Sequence, residues 1–124
     1  MGKVNVLVVE DEAIVSMDLR NKLESFGYNV PAVIRSGEEA VAAASRLRPD
    51  VVLMDIWLSG SMDGIEAAGE IRRRFDIPVV CVTGHVDEYT LKQASSTDFR
   101  YIIKPYDDEV LRLALEMAIQ WHGP

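Results

Sequence analysis

Three stretches of this chain, Val6-Leu7-Val8-Val9, Val51-Val52-Leu53-Met54 and Val79-Val80-Cys81-Val82, are apolar at four consecutive positions. A strand with one wet face alternates apolar and polar residues. These stretches do not alternate, so each is expected to be buried on both faces. Such strands belong inside a parallel sheet covered by helices on both sides. The runs are followed at once by polar residues, with Glu10-Asp11 after the first, Asp55 after the second and Thr83 after the third. Parallel strands share one C-terminal edge, and open α/β sheets bind their ligands there. Pro49–Asp55 is the centre of this arrangement. Taken alone it has a plainer reading, in which Asp55 merely opens a loop.

The segments between the runs carry helical spacing. Lys3–Val9 is expected as the first strand. From Glu12 to Phe26, the apolar residues Val15, Leu19, Leu23 and Phe26 recur at spacings of four, four and three, which is one face of a helix. Gly27 suits its stop. Tyr28–Ile34 reads as the second strand, at an edge because of Pro31. Ser36 and Glu39 have capping-box spacing and open an alanine-rich helix to about Arg48. Residues 56–62 have the composition of a loop. Asp63 with Glu66 repeats the cap signature and starts a third helix to about Phe75.

Pro78–Thr83 gives the fourth strand, and Asp87 can cap a short fourth helix to about Ala94. Arg100–Ile103 is the fifth strand. Asp107 caps a fifth helix with an expected buried stripe of Val110, Leu111, Ala114, Leu115, Ala118 and Ile119. Its acidic first turn (Asp107, Asp108, Glu109) suits the positive end of the helix dipole. Five strand–helix units with short crossovers predict a single doubly wound α/β domain over residues 1–124, with five helices around one five-stranded parallel sheet.

Bulk properties narrow the function. The net charge of −7 supplies no cationic surface for phosphates, which argues against direct nucleic-acid binding. It is compatible with a metal cation or a basic partner. No secretory leader and no apolar run of membrane-spanning length is present, so no membrane association and a cytoplasmic location are expected. A single cysteine, Cys81, excludes an internal disulfide and a cysteine zinc cluster, and inside its apolar run it reads as a small core residue.

If the strands are parallel, Glu10-Asp11, Asp55, Thr83 and Lys104 meet at one edge. Three carboxylates that close repel and raise one another's pKa unless cations offset them. Lys104 supplies one positive charge, and a hard divalent cation such as magnesium, with oxygen ligands, is the natural second. Such a set suits phosphoryl chemistry, with a carboxylate as covalent acceptor.

In this order, on five βα units, Glu10-Asp11, Asp55, Thr83 and Lys104-Pro105 resemble the receiver domain of two-component response regulators, of the chemotaxis-regulator-like kind. The resemblance covers essentially the whole chain. It implies a flavodoxin-like sheet of order 2-1-3-4-5 and a phosphorylation-dependent signalling switch, not an enzyme acting on a small-molecule substrate. It implies Asp55 as phosphoacceptor, and a Mg2+ site, in which Mn2+ can substitute, formed by Asp11, Glu10 partly through water, Asp55 and the backbone carbonyl of Trp57. Thr83 would bond a phosphoryl oxygen, and Lys104 would pair with Asp55 or with the phosphate. The Lys104–Pro105 bond would be cis. Tyr101 matches the family's switch aromatic, turning inward as Thr83 is drawn to the phosphate. The face of the fourth helix, fifth strand and fifth helix would then change its affinity for a partner. The implied partners are a sensor histidine kinase or phosphotransfer protein and a downstream protein target, with a monomer or weak dimer through that face.

The chain departs from the family pattern in two places. Glu10 stands where Asp is commoner. Leu58-Ser59 replaces the usual Met-Pro, and Gly64 lies nine residues after the acceptor rather than eight, so the loop is one residue longer and its contact with the third helix is expected to differ. Trp57 and His85 occupy positions that govern water access in the family. A bulky Trp57 predicts slow self-dephosphorylation, whereas His85 and His122 read as solvated histidines. The last helix resembles those of receivers that run on into sensor or kinase modules, so a stand-alone receiver and a piece of a longer protein, such as a hybrid sensor kinase, both fit. The alternative is a small magnesium-dependent phosphohydrolase with an aspartyl-phosphate intermediate. Haloacid-dehalogenase-like enzymes, however, carry an Asp-x-Asp after the first strand, where this chain has Glu10-Asp11-Glu12.

Overall fold

The computed structural model describes residues 2–56, 63–83 and 100–120, with positions 83, 100 and 101 described by backbone alone. The elements in chain order are β1 (Val6–Val9), α1 (Ala13–Ser25), β2 (Val33–Ile34), α2 (Gly37–Leu47), β3 (Val51–Asp55), α3 (Gly64–Phe75), β4 (Val79–Thr83), β5 (Arg100–Ile103) and α4 (Asp108–Gln120). The expected fourth helix, 87–94, lies outside the described residues, so α4 is the fifth helix of the sequence pattern. All strand pairs are parallel, in the order β2-β1-β3-β4-β5.

The non-alternating strands divide their side chains between two cores. Leu7, Val9, Val52, Met54, Val79 and Cys81 pack with α2 and α3 through Ala40, Ala43, Ala44, Ala67, Ala68 and Ile71. Their neighbours Val6, Val8, Val51, Leu53, Val80 and Val82 pack on the other face with Leu19 and Leu23 of α1 and Leu111, Leu115 and Ala118 of α4. Burial on both faces is therefore the reason these runs lack polar residues. Cys81 is fully buried among them, and burial pushes its thiol far above the ordinary range, so it is an inert core residue.

Local signals operate where expected, with some differences. Asp63 and Glu66 form a complete capping box on α3. At α2 only half of the box forms. Ser36 Oγ accepts from the Glu39 N–H at 3.2 Å, while the Glu39 carboxylate accepts from the Ser36 hydroxyl and not from its backbone. Asp107 Oδ1 accepts from the Val110 N–H at 2.9 Å, capping α4. Gly27 follows α1 at φ 94°, the left-handed conformation glycine adopts without strain. β2 is far shorter than Tyr28–Ile34. Pro31 breaks the ladder, and before it only an isolated Asn5–Asn29 bridge remains. Val110 is also not in the buried stripe of its helix. It is 42% exposed, because the stripe is carried by Leu111, Leu115 and Ala118 and Val110 lies round the side.

Candidate functional site

The register of β1 and β3 builds the site. Val9 lies opposite Met54, so Glu10 and Asp55 leave the sheet side by side. The ladder holds to their bases: the Glu10 N–H donates to Ile34 O at 2.8 Å, and the Ile56 N–H donates to Val82 O at 3.1 Å. Glu10 is only 3% exposed and Asp55 9%, while Asp11 is more open. Each of the three offers a carboxylate oxygen, and these oxygens lie within 4.8 Å of one another. Two neighbours fix this corner. The Glu12 N–H donates to Glu10 Oε2 at 3.1 Å, and the Arg35 guanidinium donates to the Asp11 carbonyl at 3.2 Å.

The electrostatics follow from burial. The Glu10 carboxyl is pushed up to about 7, first by loss of solvent. The nearby Asp55 charge and a hydrogen bond with Asp55 add to this, and the Glu12 N–H and Lys104 pull against it. Without a cation, the pair is best satisfied by a protonated Glu10 donating to Asp55. A hard cation removes the need for that proton. Three clustered carboxylate oxygens are the donor type such an ion takes, so these residues could hold one.

Lys104 enters from β5. It is half-buried, and its positive charge acts to lower the Glu10 carboxyl pKa. The Lys104–Pro105 peptide bond is cis. Two residues on, Tyr106 packs into the second core, with the Lys22 ammonium 6.0 Å from its ring centroid. Lys22 also bridges Asp108 at 3.2 Å and Asp18 at 3.5 Å, tying the segment after Lys104 to α1. Burial raises the Tyr106 hydroxyl pKa.

The backbone puts Thr83 at the end of β4, opposite Ile103, and so on the same sheet edge. The side chains of Thr83 and Tyr101, and all of Trp57, His85 and His122, lie outside the described residues. The structure thus brings Glu10, Asp11 and Asp55 together, with Lys104 following β5 at the same sheet edge. Sequence reading missed Arg35 and Glu12, whose contacts with the acidic pair depend on tertiary position and a local turn.

A doubly wound parallel sheet whose C-terminal edge carries buried carboxylates and a lysine defines an α/β domain with an acidic, cation-competent site. The chain belongs to the response regulator receiver domain family, whose model matches residues 6–116. It is 35% identical to the transcriptional regulatory protein PdtaR of Mycobacterium tuberculosis, over 92% of this chain and 56% of that one. It is 30% identical to the phyllosphere-induced regulator PhyR of Methylorubrum extorquens, over 92% of this chain and 43% of the relative. The chain therefore spans about half the length of these curated relatives.

Among solved structures, the signal receiver domain of a modulated diguanylate cyclase from Desulfovibrio desulfuricans is 38% identical with a TM-score of 0.91, covering 98% of this chain and 97% of that one. The receiver domain of a Pseudomonas aeruginosa sensor histidine kinase, solved with magnesium in its active-site cleft, is 28% identical with a TM-score of 0.85, covering 96% and 99%. The chain is thus a receiver domain of the two-component class, a class of phosphorylation-dependent signalling domains. Among the described residues, no helix is long and apolar enough to cross a membrane.

Proposed function

We propose that this domain, residues 1–124, accepts a phosphoryl group on Asp55 from a partner's phosphohistidine. The observation that carries the proposal is the convergence of the Glu10, Asp11 and Asp55 oxygens within 4.8 Å at the sheet edge that Lys104 also reaches. An Asp55 carboxylate oxygen forms the bond to phosphorus as the donor's bond to phosphorus breaks, and the departing imidazole keeps the electron pair. Asp11, Glu10, Asp55 and the Trp57 carbonyl would hold Mg2+, or Mn2+ in its place, and the ion supplies charge neutralisation at the phosphoryl oxygens. Lys104 stabilises the same developing charge from the other side. Thr83 donates a hydrogen bond to a phosphoryl oxygen.

Readout then runs through Thr83 and Tyr101 to the surface of β5 and α4. That surface already presents Ile103, Val110, Leu113 and Met117 to solvent, as a face that meets a protein partner or a second copy weakly would. The domain works in the cytoplasm and turns over no small-molecule substrate. Acetyl phosphate plus magnesium, followed by intact mass, tests the reading. One acid-stable, base-labile phosphoryl group is expected, and it is absent in Asp55→Ala. A label that persists in that variant refutes the acceptor assignment, and steady phosphate release from generic phosphate esters would favour a hydrolase instead.

A further inference from the structure

The α2/α3 layer approaches the backbone of the acceptor through the backbone of Gly64. A β-carbon placed on Gly64 would overlap the Asp55 carbonyl oxygen and stand 2.6 Å from Ile56 Cα and 2.9 Å from the Asp55 carbonyl carbon. These neighbours are sheet backbone and cannot swing aside as a flexible side chain does. Gly64 is not there for left-handed geometry, since among the described residues those with positive φ are Gly27, Arg48 and Asp76. It sits in the first turn of α3, where glycine costs helix stability relative to alanine, so the reason for it is space. The Gly64 N–H donates to Ile56 O at 2.9 Å, closing the base of the connection that leaves the acceptor. The capping box of Asp63 and Glu66 fixes this turn from the other side, and Ile65 and Ala67 bury it in the core.

We infer that Gly64 is a positioning residue for phosphoryl acceptance: its missing side chain lets the capped end of α3 press on the Asp55 backbone and hold the acceptor carboxylate against Glu10 and Asp11. Carboxylates grouped this closely work only if held to a fraction of an ångström. The inference rests on Asp55 being the acceptor, and the test separates the two.

Mn2+ affinity and the rate of phosphorylation by acetyl phosphate are measured well below the unfolding temperature for wild type, Gly64→Ala and Ala68→Gly. The last weakens the same helix without touching Asp55. Gly64→Ala is expected to lose tenfold or more in both quantities, and Ala68→Gly to stay within twofold of wild type. Removing the capping box with Asp63→Ala plus Glu66→Ala loosens the turn while leaving Gly64 in place, and is expected to lower both two- to fivefold. This second variant carries the test if Gly64→Ala does not fold. Wild-type values in a folded Gly64→Ala, an unmoved capping-box variant, or an equal loss in Ala68→Gly would each overturn the inference. A wild type that takes up no phosphoryl group would overturn the acceptor assignment itself, and the positioning role with it.

Discussion

The two helical layers of this domain are built differently. The α2/α3 layer meets the sheet largely through small side chains, Ala40, Ala43, Ala44, Ala67 and Ala68, beside Val41, Ile65 and Ile71, and Leu47 is the large apolar residue it leaves exposed among those described. The α1/α4 layer meets the sheet through leucines and carries most of the exposed apolar surface. Ile14 is 84% exposed and Met17 64% on α1, and Leu113 and Met117 are nearly half exposed on α4. Small residues permit close helix–sheet packing, and Gly64 of α3 lies directly against the Asp55 backbone. The other layer holds the Tyr106–Lys22–Asp108 tie beside Lys104 and turns an apolar surface outward. Close backbone packing and exposed apolar surface thus fall on opposite faces of one sheet.

The largest expected effects test whether both layers are true core. Ile71→Ala on α3 and Leu115→Ala on α4 remove fully buried side chains and are each expected to cost about 2–5 kcal/mol in urea unfolding. A far smaller loss on one side would mean that layer is not integral to the fold.

The acidic corner comes next. The Glu10 pKa lies above its ordinary 4.5, at about 7, so the folded protein holds a proton that the unfolded chain releases. The corresponding stability is complete below pH 4.5 and is lost as pH rises through about 7. At about 1.4 kcal/mol per pH unit, this slope amounts to at most roughly 3–4 kcal/mol in metal-free protein. Glu10→Gln should flatten it in chelator-treated samples. The same proton competes with a cation, so Mn2+ affinity is expected to climb with pH and level off above about 7. A pH-independent affinity between 5 and about 8 would contradict a protonated Glu10.

Smaller still, Asp63→Ala removes one half of the α3 capping box and should cost about 1 kcal/mol by thermal melt. Smallest of all, Leu113→Glu and Met117→Lys on the exposed side of α4 should change stability by less than about 0.5 kcal/mol. The same pair should weaken partner binding or self-association measurably. If they unfold the domain instead, this surface belongs to the core and the contrast between layers fails.

The strands and caps were legible because their causes are local or periodic. Four apolar residues in a row admit few placements, and Asp63 with Glu66 caps a helix through contacts three residues apart. Val110 was misplaced because the apolar pattern of the last helix is wider than the face its neighbours can cover, so apolarity alone does not say which residues win burial. The length of β2 was overestimated because Pro31 removes a ladder donor, a local fact whose cost depends on what lies opposite.

By itself the sequence determined the parallel sheet and which side chains end its strands, since burial on both faces and one shared edge follow from the residue pattern. Tertiary structure alone decided the rest: that Glu10 is buried deeply enough to keep a proton, that Arg35 holds Asp11, and that Gly64 must lack a side chain. Those properties come from desolvation and hard-sphere contact between segments distant in the chain. Both depend on how closely the elements finally pack, which no residue pattern encodes.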